Sequence, residues 1–158
     1  MSFIKKQSAG SFVTLLTLIL TIASVITYYV NIGGEGYFQN ASVSTAILWT
    51  FVAAILLIAV LVLAQLQLPS KVDTVLALLS DAMRIVTPVC LIAAAMMLVS
   101  ARVEGFAFIY FSNEEVLQEV QTAANMSSAH GAIANIVILA VTALVGIAAA
   151  FFNLKKKA

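Results

Sequence analysis

The side chains that can do chemistry here are few. One His, one Cys and seven acidic residues are the whole stock of ordinary metal-ligating and acid–base groups. No G-x-S-x-G, C-x-x-C, H-E-x-x-H or phosphate-loop spacing occurs. Glu114 and Glu115 are adjacent, so on a helix they point to different sides and make a poor acid–base pair. His130 has Glu104, Glu114, Glu115 and Glu119 for company but no second imidazole or thiolate, which is a weak donor set for a metal. Cys90 lies in an apolar run and reads as a small buried residue, because a reactive thiol needs a wet, electropositive setting. The expectation is a chain with no catalytic residue, no metal site and no cofactor, and not an enzyme.

Two other patterns carry interest. Thr14, Thr17, Thr21, Ser24 and Tyr28 follow spacings of 3, 4, 3 and 4, which puts all five on one helix face. Small hydroxyls there let two helices approach closely and bond across the gap or back to their own backbone. The alternative is the lining of a small polar pore or ligand cavity. The second pattern is Phe106, Phe108, Tyr110 and Phe111, followed by Glu114, Glu115 and Glu119. An aromatic run beside carboxylates is either an interfacial belt or a recognition surface for a protein, lipid or glycan.

The elements that position these residues follow from composition. The chain has 158 residues, 63% hydrophobic and only 9% charged, against about 25% charged in an ordinary globular protein. A mean hydropathy of +1.09 agrees with this. A water-soluble fold of this size needs more polar surface. A net charge of +1 gives no case for nucleic-acid binding. Four uncharged stretches, 11–30, 43–68, 85–101 and 131–154, are each near the 17–25 residues that cross a bilayer. They are continuous rather than alternating, which excludes a β-barrel. The fold expected is an all-α membrane protein: one four-transmembrane-helix bundle over 1–158, with a short extra helix in the second outer loop.

Lys5 and Lys6 before the first apolar run resemble a secretory signal. The run exceeds the usual h-region of about 7–15 residues and ends in Tyr28-Tyr29, an interfacial anchor, so a retained helix is expected. Four spans put both termini on one side. That side carries Lys5, Lys6, Lys71, Arg84 and Lys155 to Lys157, and the other side carries only Arg102. The positive-inside rule therefore predicts that both termini are cytoplasmic. Glu35, Glu104, Glu114, Glu115 and Glu119 fall outside, with Tyr37, Phe38 and the 106–111 run.

The connections are short inside and long outside. Gly33, Gly34 and Gly36 permit positive φ in the first outer loop. Ser70 with Asp73 reads as a capping box opening an amphipathic start to the third helix, and Ser112 with Glu115 as one opening the short helix, through about Ala124. Asn125-Met126-Ser127-Ser128 reads as a break before the fourth span, and Phe106 to Phe111 as loop. Pro88 kinks the third helix, with Thr87 re-satisfying the backbone. Asp81 and Arg84 pair at a boundary. Thr142, Gly146 and Ala150 form a close-contact ladder, and Asn135 an interhelical hydrogen bond. Asn40-Ala41-Ser42 and Asn125-Met126-Ser127 are formal glycosylation sequons.

Lys5 to Gly10, Val43 to Ala46 and Ile85 to Val103 resemble uncharacterised four-span membrane proteins of Gram-positive anaerobic bacteria, which implies a bacterial plasma membrane and no particular activity. The layout is also similar to tetraspan families such as claudins, but the larger loop comes second here and carries no cysteine pair. The function expected is a small non-enzymatic accessory protein that binds a membrane or extracytoplasmic partner, or a second copy of itself, through its outer face or its helices. The alternative is an oligomeric channel or carrier for a small neutral solute, lined by the Thr/Ser stripe.

Overall fold

The computed structural model of the chain describes residues 8–65 and 70–154. Lys5, Lys6, Pro69 and Lys155 to Lys157 lie outside the described residues, as do the side chains of Ser70, Lys71 and Asp73. Five helices are described: α1 (Ala9–Gly33), α2 (Ser44–Gln65), α3 (Ser70–Phe111), α4 (Glu114–Val120) and α5 (Ala123–Ala150). All but α4 are long and apolar enough to cross a membrane.

The long helices form a ring. α2 packs on α3, α3 on α5, α5 on α1, and α1 more lightly on α2. Successive long helices run antiparallel, so one end of the bundle gathers the two ends of the described chain, Ser8 and Leu154, and the other gathers α4 and the 34–43 loop.

The packing is inverted relative to a water-soluble protein. Thr14, Thr17, Thr21 and Thr142 are fully buried, whereas Ile26 is 59% and Ile55 64% exposed. Contiguous apolar surface on this scale belongs against lipid. The apolar core sits between α2, α3 and α5, around Ala53, Leu91, Ala94, Leu98 and Leu139, with Tyr28 from α1. A second core at the α4 end joins Phe38, Ile109, Ala129 and Ala132.

Three boundaries differ from the sequence-based expectation. α3 does not stop near Arg102 but runs 42 residues, about 63 Å, to Phe111. Its buried face continues at helical spacing through Leu98, Arg102, Gly105 and Ile109, so packing holds the helix past the charge. The 106–111 run is therefore helix, not loop. α5 starts at Ala123, where the Thr122 hydroxyl accepts the Asn125 N–H at 3.2 Å, and 125–128 is helical rather than a break. The short helix is capped by Asn113, which accepts the Val116 N–H at 3.0 Å, and ends at Val120. Ser112 instead donates back to Phe108 O.

Candidate functional site

The α1 stripe faces α5. The Thr14, Thr17 and Thr21 hydroxyls donate to the carbonyls of Gly10, Val13 and Thr17, at 2.7 to 2.9 Å. Each is thus satisfied by its own helix while its small side chain packs the seam. Asn135 of α5, 2% exposed, donates to Ser24 O at 2.6 Å. Gly146 borders Thr17 and Pro88, so its close contact is with helices of the same chain. α3 stays helical through Pro88, and Thr87 donates to Met83 O at 2.8 Å.

Both ends of this seam are tied. At the terminal end, Ser8 donates to Asn153 O and Leu154 O, and Ser11 to Leu154 O at 3.0 Å. At the α4 end, Asn31 donates to Ser128 O at 2.7 Å, and Ser128 Oγ accepts the Phe38 N–H at 3.0 Å. Gly36 takes a φ of +121° and lies so close to Ala124 O that no side chain fits. It alone of the loop glycines uses positive φ.

Two arginines sit inside the bundle rather than at its surface. Arg84, 4% exposed, donates to Ala149 O and to Phe152 O, and pairs with Asp81 at 3.3 Å. Its positive charge thus ends α5, where a helix presents unpaired carbonyls and partial negative charge. Arg102, 2% exposed, donates to Ala41 O at 2.5 Å and lies 4.5 Å from the Phe38 ring centroid. Tyr28 reaches the same loop, its hydroxyl accepting the Val43 N–H.

The aromatic candidates separate by helix face. Phe106 packs edge-on against Phe38, with centroids 5.5 Å apart, and Tyr110 joins it against the second core. Gly105 leaves room for the Phe38 and Tyr37 rings. Phe108 and Phe111 point away, 41% and 84% exposed; Phe108 leans on the exposed Tyr37 ring at 5.7 Å. Glu114 and Glu115 are exposed in the first turn of α4, a helix with no buried residue. Favourable as they are for the helix dipole, neither meets a basic partner within ion-pair distance among the described residues. Among those residues no three of His, Cys, Asp and Glu converge.

Residue type alone does not mark Arg84, Arg102, Ser128, Asn31 and Phe38 as packing anchors. The periodic buried face that contains both arginines was the available signal; the loop contacts of Phe38 and Asn31 had none.

Four apolar helices with a polar, hydrogen-bonded interior define a multi-pass integral membrane protein built as a helical bundle. Comparison with protein families, curated proteins and solved structures finds no match to this chain.

Proposed function

We propose that this is a small non-enzymatic membrane protein that binds a protein partner through the α4 end, with both termini cytoplasmic and the α4 end outside a plasma membrane. The observation that carries the reading is the outward pair Phe108 and Phe111 on the overhanging end of α3, beside the exposed carboxylates of Glu114 and Glu115. A ring exposed to 84%, touching its own chain edge-on at Tyr110 with centroids 6.4 Å apart, contributes little to this chain's packing, and aromatic side chains are the usual anchors of an interface. The helix beneath them fixes their backbone, so binding carries no backbone ordering cost there. The rival role, a channel or carrier lined by Thr14, Thr17, Thr21 and Ser24, requires these residues to leave α5, where they are buried and already bonded or packed.

The test is a photo-crosslinking residue at Phe111, with cells illuminated before detergent extraction. A discrete adduct that disappears in Phe108→Ala supports the reading. No adduct at Phe111, together with solute flux in liposomes containing the purified chain, overturns it in favour of the channel.

A further inference from the structure

α3 outruns α1 and α5 at the terminal end. Those two helices end there together: Ser8 donates to Asn153 O and Leu154 O, and Arg84 takes Ala149 O and Phe152 O. α3 begins at Ser70, 14 positions before Arg84, so about 21 Å of helix projects past that level. The projecting part is not polar. Val75 is 65% and Leu78 73% exposed. The exposed carboxylate of Asp81, paired with Arg84, cannot face lipid tails, so the hydrocarbon core ends by its level. With Arg84 at the core edge, Leu78 stands about 9 Å and Val75 about 14 Å further out. Headgroups fill only about 5–7 Å of that distance. Large apolar side chains beyond them mark a contact.

These two side chains open a longer pattern. From Val75, alternate steps of 3 and 4 land on an exposed apolar residue every time as far as Val103, by way of Leu78, Ile85, Val89 and Met96. That is a heptad seam about 42 Å long. It lies half a turn away from Ser80, Arg84 and Thr87, which are buried against the bundle. No charged residue falls on it. Asp81 stands beside it at a flanking position, where two parallel copies carry their carboxylates on opposite sides of the seam. Lys71, the next step before Val75, ends it by setting like charge against like.

We propose that two copies of this chain pair through α3, parallel and in register, along the seam from Val75 to Val103. The contact is independent of the α4-end reading. Lipid covers the seam between the levels of Arg84 and Arg102 but not Val75 and Leu78. A water-soluble partner covers those two and stops at the headgroups. The register, however, crosses the boundary between the two zones without a break. A second copy in the same membrane orientation has both a span and an overhang of matching length. A two-fold axis along the membrane normal then sets every step of the seam against itself.

The test is disulfide trapping of the full chain in native membranes, with single cysteines in a Cys90→Ala background and copper phenanthroline as oxidant. Leu78→Cys and Val89→Cys are each expected to give an adduct of twice the chain's mass. Ala77→Cys, exposed but one residue off the seam, should give about five-fold less or none. Val75→Glu with Leu78→Glu should lower the Val89→Cys adduct about five-fold or more, because it sets four carboxylates against one another in the pair. Neither side chain packs on the bundle, so this variant should keep the wild-type helical circular dichroism. Equal adducts at Ala77 and Leu78 would reflect random collision and overturn the seam. An adduct of any other mass puts a different protein on the overhang and overturns the second copy. Absence of an adduct at Leu78 overturns the dimer, and quenching of a fluorophore at that position by brominated lipid would then show the overhang lying in the headgroups.

Discussion

Arg84 and Arg102 stand 18 positions apart on α3, about five turns, and therefore on one face of the helix. Both are buried, and each guanidinium ends on a backbone carbonyl of another segment: Arg84 on the end of α5, Arg102 on Ala41 just before α2. The rise between them is about 27 Å, close to the roughly 30 Å of a bilayer's hydrocarbon core. A separation of that size lets both costly charges lie near the edges of a bilayer core, where burial is cheapest, and each fastens the bundle where another segment's helix begins or ends. The long helix α3 acts as the post to which both ends are tied.

Replacing Arg84 by Met is expected to destabilise the bundle by about 2–4 kcal/mol, because it leaves the Ala149 and Phe152 carbonyls without their charged donor. Arg84→Lys should recover only part of this, since one ammonium does not reproduce a planar fork. The readout is the thermal midpoint in mild detergent. Equal midpoints for wild type and Arg84→Met would show the carbonyl contacts to be dispensable.

The aromatic run should divide by helix face. Phe106→Ala with Tyr110→Ala opens the second core and is expected to cost about 3 kcal/mol or more, seen as a lower midpoint and loss of monodispersity. Phe108→Ala with Phe111→Ala should leave both unchanged within about 0.5 kcal/mol. Comparable losses from the two pairs would mean that the outward rings are covered by the chain itself.

The four helices and the α1 stripe were legible because their signals are periodic and long. Thr14 to Tyr28 repeat at 3 and 4, and the apolar runs are each near the length of a span. What was not legible lies at the ends. A charge ordinarily closes a span, yet Arg102 is inside the helix, because its guanidinium finds Ala41 O and the Phe38 ring. The clue was the repeat Leu98, Arg102, Gly105, Ile109, which continues the buried face without interruption. Asn125 to Ser128 looked like a break from polarity alone, but Thr122 caps the helix before it and Ser128 is consumed by Phe38 and Asn31. Those partners lie about 90 residues away, beyond any local pattern.

The membrane orientation has a direct check. Cysteines replacing Glu35 and Glu119, both exposed, are expected to react with an impermeant maleimide in intact cells, and one replacing Ala158 only after lysis. Glu35 is a better position than Gly36, whose positive φ and contact with Ala124 exclude a side chain. The native Cys90 is buried and gives no background. Labelling at Ala158 in intact cells would reverse the orientation.

Gly146 gives the sharpest test of the seam between α1, α3 and α5. A methyl group there would lie 3.4 Å from Thr17 Cγ2 and 3.6 Å from Pro88 Cβ, close to ordinary contact distance. Alanine also removes the conformational cost of glycine inside a helix, worth about 1 kcal/mol. Gly146→Ala is therefore expected to be neutral or mildly stabilising. Leucine adds three further carbons to a buried position between Thr17 and Pro88, neither of which can turn aside: the threonine is fixed by its bond to Val13 O and the proline by its ring. Overpacking of this kind costs about 1–3 kcal/mol or more, and here it pushes α5 off α1 as well. Gly146→Leu should thus lower the thermal midpoint and break monodispersity, whereas Leu144→Ala, at a position 66% exposed, should do neither. If Gly146→Leu behaves like Leu144→Ala, Gly146 faces lipid and the α1–α5 seam is not where the helices meet.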